Sequence, residues 1–341
     1  MISQEEILEA RSLLEKAQNP VFIYDKDTDG FCAYVMLRKF CKMKGSGLPL
    51  QTTPKLDVSS LDKIQELMPD LLVVLDVALI SQEFLDKMLV PVLWLDHHPL
   101  LERRKVHYFN PRKNDPKDNR PTTSLAWAVT KEDLWIAMVG AVSDWHIPDF
   151  ASEFKEKYPG FVGKEKDPGR VLFKTSLGEL VKVFSFMIKG KSSEVKKGIE
   201  ALFKITDPKE IMEQTSEYGK IIFMHANKQM KEYNSLLSLA KAEASRKKML
   251  VFTYNDAKTS FTKELANELC FLYPKKMIVV AREKGEELKM SLRGAKMNIP
   301  QILEKALMNV RGYGGGHEHA CGGCVAKEDF ERFIENLRRE M

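Results

Sequence analysis

Short apolar runs that end in acidic residues recur along the first third of the chain. Three of them are Val21 to Tyr24 before Asp25-Lys-Asp27-Thr-Asp29-Gly30, Leu71 to Leu75 before Asp76, and Val92 to Leu95 before Asp96-His97-His98. Continuous β-branched and aliphatic runs of this length are typical of buried strands in a parallel sheet. Because ligands of open α/β sheets bind at the carboxyl ends of such strands, the pattern predicts that these side chains meet at one edge of a sheet.

Helix-forming segments alternate with these strands. The sequence predicts helices over residues 5–17, 31–44, 61–68 and 81–88, and one further strand through Gln51-Thr52-Thr53. Strands that alternate with helices in this way are typical of βαβ units, whose strands lie parallel. The N-terminal part is therefore predicted to be an α/β domain built on a doubly wound parallel sheet.

An exposed loop and several apolar helices follow. Residues 110–121 contain three prolines and six charged side chains, which predicts the loop. One helix is predicted from Pro121, and a second from a capping box formed by Thr130 and Asp133, ending at Asp144. Helices are predicted to fill most of residues 176–244, and the last of them, over 209–244, is long enough to connect two domains.

A second α/β pattern begins at Met249. It predicts strands at 250–254, 277–281 and 287–292, helices at 260–273 and 299–308, a glycine-rich loop, and a closing helix from Lys327. The predicted fold class is thus α/β, with an N-terminal doubly wound sheet domain joined by helices to a smaller C-terminal α/β domain.

The composition excludes several classes of protein. With 341 residues, 44% of them hydrophobic and 30% charged, the chain is long enough for two domains with cores and is neither disordered nor fibrous. No apolar stretch approaches the roughly 20 residues that span a bilayer, and the acidic N-terminus lacks a signal-peptide pattern. Five irregularly spaced cysteines do not form a disulfide framework, so we expect a cytoplasmic protein without a membrane partner.

Positive charge is concentrated in the middle of the chain. Residues 151–250 carry 20 Lys and Arg against 13 Asp and Glu, whereas the remainder carries 33 against 35. A basic region beside an acidic edge suits a polyanionic substrate that one part holds and the other cuts. A solvated surface of Lys and Glu side chains explains the same counts equally well.

The acidic edge predicts a metal site, because so many like charges do not share one edge unless cations neutralise them. Asp and His ligands suit Mn²⁺ or Mg²⁺, whereas a structural zinc site favours thiolates. Two such ions roughly 3.5–4 Å apart form the standard apparatus that splits phosphodiesters. A calcium-binding EF-hand loop is the alternative for Asp25 to Gly30, but Met36 stands where that loop requires a bidentate Glu.

The order of these motifs resembles that of the DHH phosphoesterase superfamily. The matching segments are Asp25-x-Asp27-x-Asp29-Gly30, Asp76, Asp96-His97-His98, Asp144 and Gly314-Gly315-Gly316-His317-Glu-His-Ala320-Cys-Gly322. The last segment resembles the signature of the DHH-associated domain, where Ser291-Leu-Arg293-Gly294 stands at a second phosphate-binding strand. The resemblance spans nearly the whole chain and implies a compact RecJ-like exonuclease of archaeal type or a nano-RNA oligoribonuclease.

The resemblance also implies a role for each acid and histidine. The implied metal ligands are Asp25, Asp27, Asp29, Asp76, His97 and Asp144, around two Mn²⁺ ions or, alternatively, two Mg²⁺ ions. Asp76 would bridge both ions, His98 would touch the substrate phosphate, and Asp96 would orient the histidines, which makes these three the implied catalytic residues. Taken alone, Asp144 would more simply be a helix cap or a solvated carboxylate.

The C-terminal motif would hold the substrate. The implied substrate-binding residues are His98, Ser291, Arg293, Gly315, Gly316 and His317. Backbone N–H groups of consecutive glycines can approach a phosphate closely, and an arginine offers bidentate recognition. Two alternatives concern neighbouring residues: Cys321 and Cys324 beside the histidines are compatible with zinc or with a buried cysteine pair, and Trp145 with base stacking or with a core position.

The implied domain organisation has three parts. Residues 1–205 would form the metal-binding catalytic domain, 206–246 a helical connector, and 247–341 the DHH-associated substrate-binding domain, with the active site in the cleft.

The predicted function is a Mn²⁺-dependent phosphodiesterase that acts as a single-strand-specific exonuclease. Its substrates would be DNA, RNA or short oligonucleotides, from which it releases mononucleotides by two-metal hydrolysis. One alternative is a phosphodiesterase for cyclic dinucleotides or adenosine bisphosphate. Another is a replication or repair scaffold that docks on a helicase or replisome partner. A homodimer is a further prediction.

Overall fold

The computed structural model describes residues 1–50, 55–255 and 259–341 and places them in two units, Met1–Ala226 and Asn227–Met341. Each unit is built on one five-stranded sheet. This confirms the predicted α/β class, with a parallel sheet in the N-terminal part and a separate, smaller α/β domain in the C-terminal part. The predicted strand at Gln51-Thr52-Thr53 lies outside the described residues.

The N-terminal unit alternates strands and helices before it becomes helical. Its described elements are α1 (Gln4–Lys16), β1 (Pro20–Tyr24), α2 (Thr28–Phe40), β2 (Ser46–Pro49), β3 (Lys55–Leu56), α3 (Leu61–Gln65), β4 (Leu71–Leu75), β5 (Leu79–Ile80), α4 (Gln82–Lys87), β6 (Val92–Leu95), β7 (His107–Phe109), α5 (Thr122–Thr130), α6 (Leu134–Ser143), α7 (Ala151–Lys157), α8 (Pro168–Lys174), α9 (Ser176–Met187), α10 (Ser192–Leu202), α11 (Pro208–Met212) and the first part of α12 (Glu217–Ala242). The sheet order is β2-β1-β4-β6-β7, and every pair is parallel. β3 and β5 form a short parallel pair of their own. Among the described residues, no helix is both long and apolar enough to cross a bilayer.

The strand order places a switch point between β1 and β4. From β1 the chain passes to β2 on one side, and from β4 it passes to β6 on the other side. The connections therefore leave the carboxyl ends of β1 and β4 in opposite directions and open a crevice between them. Because Asp25 follows β1 and Asp76 follows β4, the topology brings both residues to this crevice.

Buried aliphatic side chains hold the sheet in place. β1 and β4 are buried at every position, and Val21, Leu72 and Trp94 lie in one hydrophobic core. Helix α2 is buried from Thr28 to Leu37 and packs against α5 and α6, as expected for a helix that is apolar on most of its faces. Full burial of each Val or Leu side chain contributes about 1.5–3 kcal/mol, so this packing stabilises the sheet and α2.

The prediction of a single helix over 209–244 is wrong. The structure contains two helices, α11 and α12, separated by residues 213–216. Gln214 adopts a left-handed φ of 54°, which interrupts the helix. Ser216 then starts α12, because its Oγ accepts a hydrogen bond from the N–H of Gly219 at 3.1 Å.

The predicted capping box of Thr130 and Asp133 is also wrong. Thr130 is the last residue of α5, and its Oγ1 donates to the carbonyl of Ala126 at 3.0 Å. A threonine that bonds back to the preceding turn in this way does not cap the next helix. Asp133 has a left-handed φ of 57° and makes no cap hydrogen bond; its carboxylate instead pairs with Lys39.

The C-terminal unit contains the rest of α12 and a mixed sheet. Its further described elements are β8 (Met249–Tyr254), α13 (Thr262–Leu272), β9 (Met277–Lys284), β10 (Glu287–Arg293), α14 (Ile299–Ala306), β11 (Gly312–His317), β12 (Ala320–Ala326) and α15 (Phe330–Arg339). The sheet order is β11-β12-β10-β9-β8, in which only β8 and β9 pair in parallel. Apolar residues of β9, β10, α14 and α15 form its core.

The predicted glycine-rich loop is a β-hairpin. Gly315 pairs with Gly322 and His317 pairs with Ala320, so β11 is an edge strand of the sheet. Glycine has a low strand propensity, and the segment therefore resembles a loop in sequence. The pairing partner β12, which is itself held by β10, makes it a strand.

Candidate active site

The first acidic motif occupies the turn from β1 into α2. The N–H of Asp25 donates to the carbonyl of Leu75 at 3.2 Å, which holds Asp25 beside the end of β4. Asp27 caps α2, since its carboxylate accepts from the N–H of Gly30 at 3.0 Å. A Cβ atom at Gly30 would lie 2.8 Å from the carbonyl oxygen of Asp25, so the close approach requires glycine. Because α2 begins at Thr28, this segment does not form an EF-hand loop.

Asp29 lies in the first turn of α2, and the N-terminus of α5 holds its carboxylate. The backbone N–H groups of Thr122 and Thr123 donate to it at 2.8 and 2.9 Å, and Thr123 Oγ1 donates as well. N–H groups at a helix N-terminus have no partner within the helix and carry partial positive charge, so a carboxylate is favourable there. The hydrogen bonds of Asp29 therefore connect α2 to α5. The sequence did not predict that Thr122 and Thr123 hold this carboxylate.

Asp76 lies at the centre of the cluster. Its backbone has a left-handed φ of 58°, a conformation that Asp and Asn adopt more readily than most residues. Its N–H donates to the carbonyl of Leu95 at 3.0 Å, at the end of β6. Its Oδ1 accepts from Thr122 Oγ1 at 3.1 Å and lies 3.3 Å from Nε2 of His97.

His97 faces two carboxylates with the same nitrogen. Nδ1 lies 3.1 Å from the carbonyl oxygen of Asn119, and a proton on Nδ1 satisfies that contact. Nε2 then lies 3.3 Å from Asp76 and 3.7 Å from Oδ2 of Asp144, which ends α6. Once its proton is lost, Nε2 would present a lone pair on the side of these carboxylates, as a metal-binding imidazole requires.

Asp96 is fully buried and holds His98 in one orientation. Oδ1 of Asp96 lies 2.8 Å from Nδ1 of His98, and Oδ2 accepts from the His98 N–H at 3.1 Å. Tyr108 and Asn110 contact the same carboxylate from β7 and its end, each at 3.4 Å. A histidine fixed through Nδ1 has its Nε2 directed away from that partner.

The acids and histidines form two groups with metal-ligand spacing in the described part of the chain. Asp25, Asp27 and Asp76 form one, and Asp76, His97 and His98 form the other; within each group the ligand atoms lie within 4.8 Å of one another. Asp76 belongs to both groups. Asp144 lies beside the second group through His97, and Asp29 lies beside them, held by α5. Neither group includes the cysteines or histidines of the glycine hairpin.

The charges of the cluster favour a cation. Burial, together with the neighbouring carboxylates Asp76 and Asp144, raises the pKa of Asp29 well above its usual value. Burial and the charge of Asp27 also raise the pKa of Asp76, against the opposing effect of His97. Although burial disfavours a charged imidazole, the carboxylate of Asp76 raises the pKa of His97 well above 6.5. A cluster that retains protons for lack of positive charge fits the predicted divalent ions, because such ions neutralise carboxylates.

An aromatic side chain directly follows Asp144. Trp145 has a left-handed φ of 58° and is 38% exposed, so it is not a core residue. Its ring meets Phe173 edge to face, with centroids 5.6 Å apart. The next residue, His146, has its pKa lowered by burial and by Arg120. The exposed indole is available for stacking next to the cluster.

The predicted phosphate-binding residues of the C-terminal unit lie on β10 and β11. Nε of Arg293 donates to Oδ1 of Asn267 at 2.6 Å, and Nη1 donates to the carbonyls of Leu292 and Cys321 at 2.9 and 3.3 Å, so the guanidinium is held in place. Ser291 on β10 pairs with Gly322 and is mostly buried. The structure thus places the motif residues of this unit on β10 and β11, the two strands that flank β12.

The glycines of β11 differ in what they require. Gly316 has a φ of 150°, and a Cβ atom there would lie 2.4 Å from the carbonyl oxygen of Ala320, so the hairpin itself requires glycine. A Cβ atom at Gly315 would contact nothing within 4 Å. The open backbone at Gly315 and the exposed His317 leave this edge accessible to a ligand.

Comparison with known proteins identifies a domain and a fold. Residues 246–341 match the family model of the DHHA1 domain. RecJ from Thermus thermophilus in complex with Mn²⁺ superposes with a TM-score of 0.68 and 18% identity, over 99% of this chain and 55% of RecJ. The chain therefore spans about half the length of that RecJ, which has also been solved with Mg²⁺. No curated protein sequence matches the chain.

Two further structures share the fold. The DHH domain of a member of a ribosomal protein family has a TM-score of 0.70 and 14% identity, over 99% of this chain and 90% of that one. A pGpG-specific phosphodiesterase, PggH from Vibrio cholerae, has a TM-score of 0.51 and 13% identity, over 94% of this chain and 98% of that one. The family model supports the C-terminal part of the predicted resemblance, and these likenesses show that the chain shares the fold of the solved structures.

Proposed function

We propose that this chain belongs to the DHH phosphoesterase superfamily, as its DHHA1 domain and its fold support, and that it is a metal-dependent phosphodiesterase acting as a single-strand-specific exonuclease. The observation that carries this proposal is the pair of ligand groups that share Asp76. One carboxylate that faces two adjacent ligand sets suits a pair of ions with a common ligand. The Mn²⁺ and Mg²⁺ complexes of the RecJ structure support a divalent ion, and we propose Mn²⁺ as the cofactor.

The residues of the cluster have distinct proposed roles. Asp25, Asp27 and Asp76 would hold one ion, and Asp76, His97 and the adjacent Asp144 would hold the other. Bound ions would activate water and neutralise charge on the phosphate.

Two further residues would act beside these ligands. His98, fixed by Asp96, would hydrogen-bond a phosphate oxygen through Nε2. Asp29 stays a predicted ligand, and its hydrogen bonds to α5 additionally hold the ligand-bearing turn in position.

Three features support a single-stranded nucleic acid as substrate. Trp145 offers an exposed ring beside Asp144 for stacking a base, which requires an unpaired strand. The Lys-rich segment from Lys155 to Lys204 provides positive charge for a phosphate backbone. Arg293 and His317 of the DHHA1 domain remain the proposed contacts to substrate phosphates.

A dinucleotide phosphodiesterase is the second candidate function. It is favoured by the likeness to PggH, which acts on pGpG and matches this chain over nearly the whole length of both. The same metal centre would serve either substrate, so length of substrate separates the two candidates.

The proposal is tested with end-labelled substrates. Metal-free protein is incubated with Mn²⁺ and single-stranded DNA or RNA of two, five or twenty nucleotides, labelled at either end, and the products are resolved by electrophoresis. A blunt duplex of the longest DNA and the Asp76→Asn variant serve as controls.

Each outcome selects one function. A ladder of products on the long single strands, with the duplex intact, supports the exonuclease. Cleavage confined to dinucleotides replaces it with the second candidate. If the wild-type protein cleaves none of the substrates in either Mn²⁺ or Mg²⁺, the enzyme proposal is overturned. That result favours the predicted scaffold with a helicase or replisome partner.

A further inference from the structure

A cavity of about 700 Å³ lies in the N-terminal unit outside the proposed metal centre. Its wall includes Tyr24 and Lys26, the residues on either side of Asp25, and continues along Arg38 of α2, the strand β2 and the start of α10. The volume falls within the roughly 300–1,000 Å³ of small-molecule sites. The cavity is therefore large enough for a ligand the size of a nucleotide.

The wall of the cavity is strongly basic. Its described residues include four cations, Lys26, Arg38, Lys196 and Lys204, and one acid, Glu200, which leaves the wall three charges positive. The acid lies 4.0 Å from the ammonium group of Lys196, at the limit of an ion pair. Cations that converge on one concave surface raise its affinity for a polyanion.

Arg38 lines the cavity and, within the described part of the chain, retains an unsatisfied hydrogen-bond donor. Nη1 donates to the hydroxyl of Tyr34 at 2.8 Å, and the guanidinium carbon lies 5.0 Å from the ring centroid of Phe203. Nε is buried and has no hydrogen-bond partner among the described residues. A buried donor without a partner is unfavourable, and because Arg38 lines the cavity, an anionic acceptor bound there would pair with its guanidinium. A guanidinium held between two rings matches phosphate geometry better than an ammonium does.

A helix N-terminus lies at the same wall. Helix α10 begins at Ser192. Ser192 lines the cavity, and so does Gly190, two residues before it. The N–H groups of a first helical turn and the helix dipole favour an anion at this end. The partial positive charge at this helix N-terminus therefore adds to the positive charge of the basic side chains.

The remaining wall is apolar. Phe203 is only partly buried, and Ile188, Val195 and Ile199 line the cavity next to it. An aromatic ring with aliphatic neighbours suits a flat heterocycle, which gains stacking and apolar contact. A ligand with one anionic end and one flat apolar end fits both parts of the wall.

We infer that this cavity binds a nucleotide, with Arg38 and the N-terminus of α10 holding its phosphate and Phe203 packing against its base. The nucleotide is either a free mononucleotide or one residue of a bound strand, and the chemistry of recognition is the same. With a free mononucleotide as ligand the inference goes beyond the proposed function, and with a bound strand it rests on that function; in both cases binding requires neither metal nor hydrolysis.

The test is isothermal titration calorimetry of the full chain in EDTA, which prevents hydrolysis. The probes are adenosine 5′-monophosphate, adenosine, inorganic phosphate and a single-stranded DNA pentanucleotide. We expect the mononucleotide or the pentanucleotide to bind at least tenfold more tightly than adenosine or phosphate alone. Saturable binding of the mononucleotide identifies the free nucleotide as ligand, whereas binding of the pentanucleotide alone identifies the strand.

Variants assign the binding to the cavity. Arg38→Gln should weaken it at least tenfold. Loss of the Arg38 guanidinium also affects packing, so a second variant carries both Lys196→Gln and Lys204→Gln at exposed positions of the wall. Its control carries both Lys197→Gln and Lys209→Gln, which remove the same charge from exposed positions outside the cavity.

Three outcomes overturn the inference. The first is that none of the probes binds. The second is that phosphate alone binds as tightly as the nucleotide. The third is that Arg293→Gln abolishes binding while both cavity variants bind as the wild type does. Each of these leaves the Mn²⁺-dependent hydrolysis of the proposed function separately measurable.

Discussion

Oδ1 of Asp76 lies 3.3 Å from Nε2 of His97, although the two residues are 21 positions apart. Asp76 directly follows β4, and His97 lies two residues after the end of β6. The pairing of Leu75 with Leu95 sets the register of the two strands. The left-handed backbone of Asp76 turns its carboxylate toward this neighbour. The geometry of the two ligand groups therefore depends on the sheet, whose strands β4 and β6 are buried at every position.

Asp76→Asn should abolish hydrolysis. Asparagine tolerates the left-handed φ of 58°, so the backbone is preserved while one ligand charge is lost. Loss of a residue that supports metal ligands lowers metal affinity or activity by about 10- to 100-fold. Loss of a shared ligand should have a larger effect, so we expect kcat to fall by at least about 100-fold. Turnover of the labelled strand and Mn²⁺ affinity are measured together. A variant with near-normal turnover would contradict the assignment of Asp76 to both groups.

Without metal, stability should fall as the pH rises. The folded protein raises the pKa of Asp29 and of Asp76, so their ionisation above about pH 4 costs free energy that the unfolded chain does not incur. The raised pKa of His97 has the same sign: its contribution is fully present below about pH 6.5 and is lost as the pH passes its folded-state pKa.

Mn²⁺ should reverse this dependence, because ligands bind the ion in their deprotonated form. Thermal denaturation in EDTA and in Mn²⁺, at about pH 5.5, 7 and 8.5, measures both effects. The Mn²⁺-induced rise in Tm should grow with pH. A rise that is equal at all three pH values would speak against ion binding at this cluster.

Gly140→Ala should loosen the contact between α5 and α2. A Cβ atom at Gly140 would lie 2.2 Å from Oγ1 of Thr123, which donates to Asp29. Overpacking costs about 1–3 kcal/mol, more than the roughly 0.5–1 kcal/mol that alanine contributes to a helix. We expect lower stability in urea and weaker Mn²⁺ binding. Gly198→Ala is the control, since the nearest atoms there belong to the flexible side chain of Met187; equal losses in both variants would argue against the role of Thr123.

Trp145→Ala should raise KM for oligonucleotides and leave kcat nearly unchanged. The indole is 38% exposed beside Asp144, and stacking of a base contributes about 1–3 kcal/mol, or about a 5- to 150-fold change. A small activated phosphodiester without a base serves as the control substrate, and its kinetics should not change. An equal loss on both substrates would indicate that Trp145 supports the metal centre instead of the base.

His317→Ala should impair substrate binding without loss of metal. A hydrogen bond to a charged group contributes about 1.5–3 kcal/mol, so we expect KM to rise about 10- to 150-fold. His319→Ala on the same hairpin is the matched control, because His319 is also exposed and its Nδ1 contacts the carbonyl of Met297. Reduced Mn²⁺ occupancy in the His317 variant, with the His319 variant unaffected, would refute the proposed role in phosphate binding.

Local signals in the chain were sufficient for the central strands. β1, β4 and β6 lie within one residue of their predicted bounds, because an uninterrupted β-branched and aliphatic run is a strong local signal. β11 was not predicted, because four of its six residues are glycine and only pairing with β12 makes the segment a strand. The long helix was predicted across residues 213–216 because periodicity does not reveal the left-handed turn at Gln214.

The residue types along the chain are sufficient to predict the ligand chemistry of the candidate site. Asp and His follow strand signals that are local, so their meeting at one edge could be predicted from the chain. The tertiary fold determines that Asp76 belongs to both ligand groups, that Thr122 and Thr123 hold Asp29, and that Arg38 lines a basic cavity. These contacts join residues far apart in the chain, and they exist because strand order and helix packing bring the residues together, which no local pattern encodes.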